Sequence, residues 1–414
     1  MSQLALEGGS PVINYPLPSV KDISGRDVGE EELRLVTEVV KSGNMGYIYG
    51  TKVKQLQKEW AELYGVKHAV AVSSGTASLH TAMVFLNVGP GDEVLVPAIT
   101  DMGTVIAVLM QNAIPVFVDV DLKTQRMDPD KIEEKITPNT KVILPVHIFG
   151  LPCDMDRIME IAKKHGLYVV EDCAQAHLTR YKGKLVGTIG DVGCFSFQQS
   201  KHMTTGDGGM IIANEDEICG RKLIHCADKG WPRECYRDHL FLAPNYHMTE
   251  LQAAVGIGQL HKLPSFIERR RKSAAVLTEA IKGIKGVYPP GDDENGECTY
   301  YEYALTIDPD AFTVSNKVLA EALTAEGVKT APSYLPKPIY MYDAVFKQIT
   351  YGRFACPYDC KHYREPVAYT EDMCPVAWEA CRSMLFIPWN EKMTEKNALD
   401  IAEAIAKVLT HYQK

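Results

Sequence analysis

Lys201 lies in a stretch whose residue types and spacing suit covalent chemistry. The apolar run before it, residues 192–197, predicts a short buried strand, and the cluster at residues 206–209 (Gly-Asp-Gly-Gly) predicts a turn into a second strand. A lysine held in a loop between strands, beside serine and threonine hydroxyls, can act as an amine nucleophile toward a carbonyl. An exposed loop lysine fits the same local pattern, so the rest of the chain must separate the two interpretations.

A candidate anion site lies earlier in the chain. Residues 69–72 predict a short strand, residues 73–76 a turn of hydroxyl and glycine residues, and residues 77–86 a helix. The free backbone N–H groups of a helix's first turn point toward a ligand and favour anions, so this turn is a candidate phosphate site. Serine and threonine also cap ordinary helices, and capping alone is the simpler interpretation of this stretch.

Asp172 follows another strand-like run, residues 168–170. A carboxylate at the end of a buried strand is costly without a cationic partner, which makes Asp172 a site candidate rather than a core residue. A lysine and an aspartate on neighbouring strand ends, with a phosphate site on a third, are the parts that a pyridoxal phosphate enzyme requires. In such an enzyme the lysine forms the Schiff base, and the carboxylate keeps the pyridine nitrogen protonated.

The intervening chain predicts elements that hold these residues at one edge of a sheet. Strand-like runs alternate with helical runs, which is typical of a mostly parallel sheet covered by helices on both faces. In such sheets, ligands bind beyond the carboxyl ends of the strands. The predicted strands are residues 93–96, 115–118, 142–146 and 168–170, and the predicted helices are residues 30–40, 52–63, 105–110, 132–136 and 155–164.

The C-terminal part predicts a second, smaller unit. A long helical pattern over residues 248–272 connects the two, and the strand-like residues 301–307 and an amphipathic helix at residues 394–412 follow. We therefore expect a large cofactor-binding domain with an N-terminal helical segment at residues 1–262 and a smaller domain at residues 263–414.

Six motifs keep the order and spacing of one enzyme family: residues 69–79, 91–97, 145–150, 170–177, 196–209 and 245–254. Through them the chain resembles the DegT/DnrJ/EryC1/StrS family of sugar aminotransferases. The resemblance implies the type I fold of pyridoxal phosphate aminotransferases. This is an α/β fold with a mostly parallel, seven-stranded type of sheet, helices on both faces and a smaller α+β C-terminal domain.

The resemblance also implies a role for each matching residue. Lys201 would hold pyridoxal 5'-phosphate and move the proton, Asp172 would pair with the pyridinium nitrogen, and Gln175 would contact the ring hydroxyl or its face. Asn245 would reach the phosphate of a neighbouring subunit, which implies a homodimer with shared active sites. Phosphate binding falls to three residues: Gly75, Thr76 and Ser196.

Three departures from the family pattern mark candidate substrate residues. Asp101 stands where an aromatic side chain commonly stacks on the cofactor ring, and it could instead touch substrate hydroxyls or a cationic group. His177 is followed by Leu178 instead of the usual glycine, and His247 replaces the usual arginine. These positions border the expected substrate space, so they bear on the substrate and leave the cofactor chemistry intact.

Residues 196–201 (Ser-Phe-Gln-Gln-Ser-Lys) and 374–377 (Cys-Pro-Val-Ala) are most similar to the family branch that aminates keto-cyclitols such as scyllo-inosose. We therefore expect amino transfer from L-glutamine or L-glutamate to a ketone on a cyclic polyol. A nucleotide-linked keto-sugar aminotransferase is the alternative, and Lys229, Arg233 and Arg237 are the cations that it could use. A solvated loop is the simpler interpretation of these three residues. A non-catalytic regulatory or binding protein is a further alternative, against which the presence of both Lys201 and Asp172 argues.

The composition of the 414 residues, 46% hydrophobic and 23% charged, is typical of a globular protein. The net charge of -9 argues against nucleic acid or an anionic membrane as a partner, and the short basic run at residues 268–272 predicts a solvated helix face. No secretion signal and no membrane-spanning stretch is expected. The eleven scattered cysteines predict reduced thiols and a cytoplasmic protein.

A zinc site can be drawn through Cys356, Cys360, His362 and Cys374. Their spacing matches no compact zinc site well, so we expect packing cysteines and no metal.

Overall fold

A computed structural model describes residues 3–233, 238–351, 356–359, 361–363 and 367–414. Within these ranges, no helix combines the length and the apolar character that a bilayer crossing requires. The α-helices of the described chain are α1 Glu30–Ser42, α2 Lys52–Tyr64, α3 Gly75–Phe85, α4 Met102–Met110, α5 Met155–His165, α6 Leu223–Cys226, α7 Glu250–Ile281, α8 Asn316–Ala325, α9 Asp343–Phe346, α10 Pro375–Ala380 and α11 Glu395–Tyr412.

The β-strands of the described chain are β1 His68–Val72, β2 Glu93–Pro97, β3 Ile114–Val118, β4 Thr140–Ile143, β5 Tyr168–Asp172, β6 Arg180–Tyr181, β7 Lys184–Leu185, β8 Val192–Ser196, β9 Gly209–Ala213, β10 Glu217–Ile218, β11 Arg221–Lys222, β12 Val287–Tyr288, β13 Gly296–Glu297, β14 Glu302–Ile307 and β15 Met384–Pro388. Seven of them form the central sheet in the order β1-β9-β8-β5-β4-β2-β3. The strands from β8 to β3 are parallel, whereas β9 runs antiparallel to both β8 and β1. The predicted sheet is confirmed, and Lys201 lies in the connection between β8 and β9.

Helices cover both faces of the central sheet because successive strand side chains point into two different apolar cores. In β2, Val94 and Val96 lie in the core that contains α3 and α4. Leu95, between them, lies in the core that contains buried residues of α1, α2, α5 and α7. Burial on both faces is typical of parallel strands and leaves the strand ends as the places where polar side chains collect.

The C-terminal part has its own antiparallel sheet, β12-β14-β15, which shares a third core with α8 and α11. Helix α7 runs continuously through residues 262 and 263, where the sequence predicts the domain division. Its buried apolar residues from Ala253 to Ile267 belong to the second core, and those from Ala274 onward belong to the third. Leu4 and Ile13 also pack in the third core, whereas the prediction placed them with the large domain. The division at residue 262 stays a prediction.

Two predicted elements differ from the structure. Residues 132–136 form no α-helix, because the segment between Pro129 and Pro138 has room only for the 3₁₀ turns Pro129–Lys131 and Glu133–Lys135. Strand β4 ends at Ile143 rather than at residue 146, since Pro145 has no N–H group to continue the ladder.

Candidate active site

The residues singled out by the motifs converge on a cavity of about 510 Å³. It lies beyond the carboxyl ends of β5 and β8, where α3 begins, as expected for the open edge of a parallel sheet. Seven of the predicted site residues line it: Gly75, Thr76, Asp101, Asp172, Gln175, Ser196 and Lys201.

The N-terminus of α3 is the part of the cavity suited to an anion. Ser74 caps the helix, since its Oγ accepts a hydrogen bond from the backbone N–H of Ala77 at 3.0 Å, and the first N–H groups of a helix have no intrahelical acceptor. A Cβ atom at Gly75 would lie 2.6 Å from the Cβ of Ser196, so only glycine allows this approach. The end of β8 and the first turn of α3 can therefore face the same phosphate group.

Asp172 ends β5 and is only 4% exposed. Its Oδ2 accepts a hydrogen bond from Thr104 Oγ1 at 2.9 Å, and its Oδ1 accepts one from the backbone N–H of Ala174 at 3.0 Å. Burial raises the pKa of Asp172 above its usual value, while these hydrogen bonds and the charge of Lys201 oppose the shift. A cation next to the carboxylate would favour its charged form, which suits a partner for a protonated ring nitrogen.

Gln175 is held at both ends of its amide group. Its Oε1 accepts a hydrogen bond from the backbone N–H of Phe149 at 2.9 Å, and its Nε2 donates one to the hydroxyl of Tyr334 at 3.1 Å. The second N–H of the Gln175 amide has no hydrogen-bond partner among the described residues. The Gln175 side chain lines the cavity. The predicted contact of Gln175 with a cofactor ring stays a prediction, for which this hydrogen is available.

Lys201 is half-buried and contacts an aromatic side chain that the sequence analysis missed. Its Nζ lies 4.4 Å from the centre of the Tyr301 ring, which is a cation–π distance for a protonated amine. The Tyr301 hydroxyl shares a hydrogen bond of 2.8 Å with Ser200 Oγ, next to the lysine. The only sequence signal for this contact was an aromatic residue at the start of a predicted strand.

A buried charge network fixes both Tyr301 and the loop before Lys201. Arg270 of α7 is fully buried, donates to the carbonyl oxygen of Tyr301 at 3.2 Å and pairs with Glu391 at 2.9 Å. Arg26 lies 3.4 Å from the other oxygen of Glu391 and donates to the carbonyl oxygen of Gln199. The basic run predicted as a solvated helix face thus contains a buried arginine that holds the site, which corrects that prediction.

His177 lies behind Lys201 and outside the cavity. Its ring is fully buried, with its centroid 5.9 Å from that of Trp60 and 5.3 Å from that of His202. Burial, aided by the charge of Lys201, lowers the pKa of His177 to about 3, so the ring is neutral at physiological pH. This position corrects the expectation of a substrate contact, because an enclosed ring cannot reach the cavity.

His247 and Asn245 also lie outside the cavity of their own chain. The His247 ring stacks on Tyr47 with centroids 4.4 Å apart, and its Nε2 lies 2.9 Å from Asp228 Oδ1. Asn245 is exposed. The expected substrate contact of His247 and the expected phosphate contact of Asn245 in a neighbouring subunit remain predictions.

The cations considered for a nucleotide have other partners. Lys229 lies 3.4 Å from Asp228, and Arg233 forms hydrogen bonds with the same carboxylate. Arg237 lies outside the described residues.

Within the described chain, His147, Glu171 and Cys173 form a group compact enough to hold a metal ion, with ligand atoms within 4.8 Å of one another. Glu171 instead accepts three backbone hydrogen bonds of 2.7 to 2.8 Å and lies 3.0 Å from Nε2 of His147. The other ring nitrogen, Nδ1, accepts a hydrogen bond from the backbone N–H of Cys153 at 2.9 Å. Protein hydrogen bonds therefore account for this group. The zinc site considered above includes Cys360, which lies outside the described residues.

The sequence model of the DegT/DnrJ/EryC1/StrS aminotransferase family matches residues 26–406 of this chain. The chain belongs to this family. It is 34% identical over 435 residues to an L-glutamine:2-deoxy-scyllo-inosose aminotransferase from Streptomyces kanamyceticus, covering 99% of this chain and 97% of that protein. It is 36% identical over 287 residues to GDP-perosamine synthase from Escherichia coli O157:H7, covering 69% and 77%. The crystal structure of an aminotransferase from Psychrobacter cryohalolentis has a TM-score of 0.83 at 31% identity, covering 94% of this chain and 98% of that one.

The enzyme is a pyridoxal phosphate-dependent aminotransferase, and the predicted fold class is confirmed. The cavity fits the cofactor on its own chemistry. It joins a helix N-terminus, a lysine and the buried carboxylate of Asp172, which has no ion-pair partner within 4.0 Å among the described residues. A phosphate, a carbonyl and a protonated ring nitrogen each meet a matching group there.

Proposed function

We propose that this aminotransferase moves the amino group of L-glutamine or L-glutamate to a ketone on a cyclic polyol, such as scyllo-inosose, to give an aminocyclitol. The observation that carries the proposal is the charge of the cavity. Lys201 is the only basic side chain among the described lining residues, whereas Asp101, Asp172 and Asp207 are acidic. A neutral polyol suits such a wall because it requires hydrogen-bonding groups and no cation.

The cavity supplies those hydrogen-bonding groups. The side chains of Gln198, Ser200, Tyr301 and Tyr334 line it together with the carboxylates, so donors and acceptors face the space beside Lys201. A ring with several hydroxyl groups can satisfy many of them at once, which supports a cyclic polyol as the acceptor.

The same charge distribution favours L-glutamine over L-glutamate as the donor. The two amino acids differ in the side-chain group, which is a neutral amide in glutamine and a carboxylate in glutamate. Because Asp101 and Asp207 carry no cationic partner within 4.0 Å among the described residues, the second carboxylate of glutamate would be repelled.

We assign the chain's own groups as follows. Pyridoxal phosphate, when bound, takes up the amino group and withdraws electrons from the substrate carbon. The N-terminus of α3 and Ser196 bind the phosphate, and Asp172 holds the proton on the ring nitrogen. Lys201 Nζ removes the proton from the donor carbon and, in the second half-reaction, delivers a proton to the acceptor carbon. The contact with Tyr301 orients that amine.

A nucleotide-linked keto-sugar is the alternative acceptor, and the similarity to GDP-perosamine synthase favours it. A diphosphate requires basic side chains, which this cavity lacks apart from Lys201 in the described part of the chain. Lys229 and Arg233 are already paired with Asp228. The cyclitol therefore has the stronger support.

We also infer a homodimer with shared active sites. Asn245 is exposed and away from its own cavity, and apolar side chains remain exposed in the same chain: Ile48 at 43%, Tyr49 at 82% and Leu242 at 94%. Exposed apolar surface of this kind supports a subunit contact.

Sedimentation of the wild type should give a dimer, and the double variant Tyr49→Asp with Leu242→Asp should shift it toward monomer and lower activity. A monomeric, active wild type would contradict the inference.

The function is tested by absorption spectra of the purified protein with pyridoxal phosphate. We expect a yellow band that bleaches with L-glutamine and returns when scyllo-inosose is added. Return only with a nucleotide-linked keto-sugar would replace the proposed acceptor, and a band that neither amino acid bleaches would refute amino transfer. Lys201→Ala is the matched control, since it removes the amine and should show neither the band nor turnover.

A further inference from the structure

Asp101 has a carboxylate oxygen that no described protein group uses. It precedes α4, and its Oδ1 accepts a hydrogen bond from the backbone N–H of Gly103 at 2.8 Å. No other hydrogen bond to the carboxylate, and no basic nitrogen within 4.0 Å, occurs among the described residues. The residue is exposed and lines the cavity, so its second oxygen is available to a bound molecule.

Capping of α4 does not by itself explain the charge. Asparagine and serine cap helices about as well as aspartate, because the cap needs one acceptor oxygen. The positive end of the helix dipole stabilises a carboxylate only modestly. The free oxygen and the negative charge are therefore properties that a ligand can use.

The surroundings of Asp101 strengthen the negative charge of the wall. Asp172 and Asp207 line the same cavity, and Lys201 is the only described lining residue that opposes them. Asp172 would pair with the cofactor and Lys201 would take part in proton transfer. Asp101 then remains as a carboxylate without a cation, on the part of the wall where Thr100, Gly103 and Tyr334 also lie.

We propose that Asp101 is a specificity residue that selects an acceptor already carrying an ammonium group, that is, a cyclic polyol with one ketone and one amine. This inference rests on the proposed cyclitol function. An ammonium group offers three N–H donors and a positive charge, so it satisfies the free oxygen of Asp101 and relieves the repulsion within the wall. A hydroxyl at the same ring position would supply one donor and no charge.

The test uses two products in the reverse direction, because they differ in one group. Scyllo-inosamine is a cyclitol with one amine, and streptamine has a second amine in place of one hydroxyl. Each is titrated into the cofactor-loaded enzyme at neutral pH, and the half-saturating concentration is read from the bleaching of the yellow band. For the wild type we expect streptamine to saturate at a concentration at least tenfold lower than scyllo-inosamine.

Asp101→Asn is the decisive variant, since asparagine keeps the shape and the helix cap and removes the charge. The preference for streptamine should fall to within about the twofold statistical advantage of two amines, while the half-saturating concentration of L-glutamine should change less than threefold. Asp207→Asn is the matched control for the overall charge of the cavity and should keep the preference.

The outcomes separate this inference from the function on which it rests. If both cyclitols saturate the wild type equally, or if Asp101→Asn keeps the full preference, the role of Asp101 is wrong and the cyclitol function stands. If Asp207→Asn removes the preference as strongly as Asp101→Asn, the general charge of the wall replaces Asp101 as the cause. If L-glutamine bleaches the band and neither cyclitol does, both proposals are overturned.

Discussion

The amine nitrogen of Lys201 lies 4.4 Å from the centre of the Tyr301 ring, although the two residues are far apart in the sequence. Arg270 holds the backbone carbonyl of Tyr301 at 3.2 Å, and Ser200 shares a hydrogen bond of 2.8 Å with its hydroxyl. The position of the reactive amine therefore depends on α7 and on the C-terminal part of the chain, as well as on the loop that carries the lysine.

Substitutions at Tyr301 should distinguish the contribution of its ring from that of its hydroxyl to the position of Lys201. A cation–π contact contributes roughly 0.5 to 2 kcal/mol, so Tyr301→Ala should slow the L-glutamine half-reaction by roughly two- to thirtyfold. Tyr301→Phe keeps the ring and loses only the bond to Ser200, and it should slow the reaction less than Tyr301→Ala. Rapid-mixing absorbance measures both rates. Equal losses in the two variants would show that the hydroxyl, and not the ring, positions the lysine.

Gly75→Ala should disrupt the phosphate end of the cavity. The added Cβ would lie 2.6 Å from the Cβ of Ser196, and overpacking of this kind typically costs about 1 to 3 kcal/mol. We expect a lower melting temperature and weaker cofactor binding, measured by thermal unfolding and by cofactor titration.

Two further variants test the cause of that effect. Gly89→Ala is the control, because its added Cβ meets no atom within 4 Å, and it should change neither quantity. Combining Gly75→Ala with Ser196→Gly should restore part of the melting temperature, since the clash is relieved. It should not restore full cofactor affinity, since the serine hydroxyl is gone. No recovery of the melting temperature would mean that the clash is not the cause.

The parts of the site that the sequence could predict are those that local patterns place at one edge of a sheet. Lys201, Asp172 and Gly75 each sit beside a recognisable strand, turn or helix start, and parallel strands bring such ends together. Family motifs then identified Gln175 and Ser196 as neighbours, and the structure places both in the same cavity.

Other parts of the site depend on contacts between segments far apart in the chain, and no local sequence pattern predicts them. Tyr301 and Tyr334 come from the C-terminal part and line the cavity through contacts with distant segments of the chain. The backbone N–H of Tyr301 donates to the carbonyl oxygen of Phe149 at 3.0 Å, and the Tyr334 hydroxyl accepts a hydrogen bond from Gln175 at 3.1 Å. The basic run predicted that Arg270 is solvated, yet it is buried, where backbone carbonyls accept hydrogen bonds from its Nη1 and Glu391 accepts one from its Nη2. His177 followed a strand end, but its ring turned into an aromatic cluster instead of the cavity.

Asp172→Asn should show how much the charge of the carboxylate contributes to cofactor binding, because asparagine keeps nearly the same shape without the charge. Asparagine can still accept the bond from Thr104, but it cannot pair with a protonated ring nitrogen. Hydrogen bonds to charged groups contribute about 1.5 to 3 kcal/mol, so cofactor affinity should fall roughly 10- to 150-fold. Because burial raises the pKa of Asp172, its charge destabilises the cofactor-free protein, and the variant without cofactor should melt at the same or a higher temperature. Cofactor titration and thermal unfolding check both results, and wild-type affinity in the variant would contradict the assigned role.

Glu302 should make the stability of the cofactor-free protein depend on pH. It begins β14, is 8% exposed, and its Oε2 accepts a hydrogen bond from the backbone N–H of Trp389 at 2.6 Å. Burial raises the pKa of Glu302 to about 8, against the opposing effects of the Trp389 hydrogen bond and the charge of Arg270.

The sign of the effect follows from proton binding. In the unfolded chain, Glu302 loses its proton near pH ~4.3, whereas the folded protein keeps it up to about pH 8. Its contribution to folding stability is therefore complete below the unfolded value and is lost as the pH rises through the folded value. Glu302→Gln removes this titrating group with little change of shape. The free energy of unfolding of both cofactor-free proteins is measured in urea as a function of pH. Between about pH 5 and about pH 8, the wild type should lose stability relative to the variant. Glu321→Gln, at an exposed position of α8, is the control and should follow the wild type. A wild-type profile parallel to that of Glu302→Gln would show that Glu302 is ionised in the folded protein across this range.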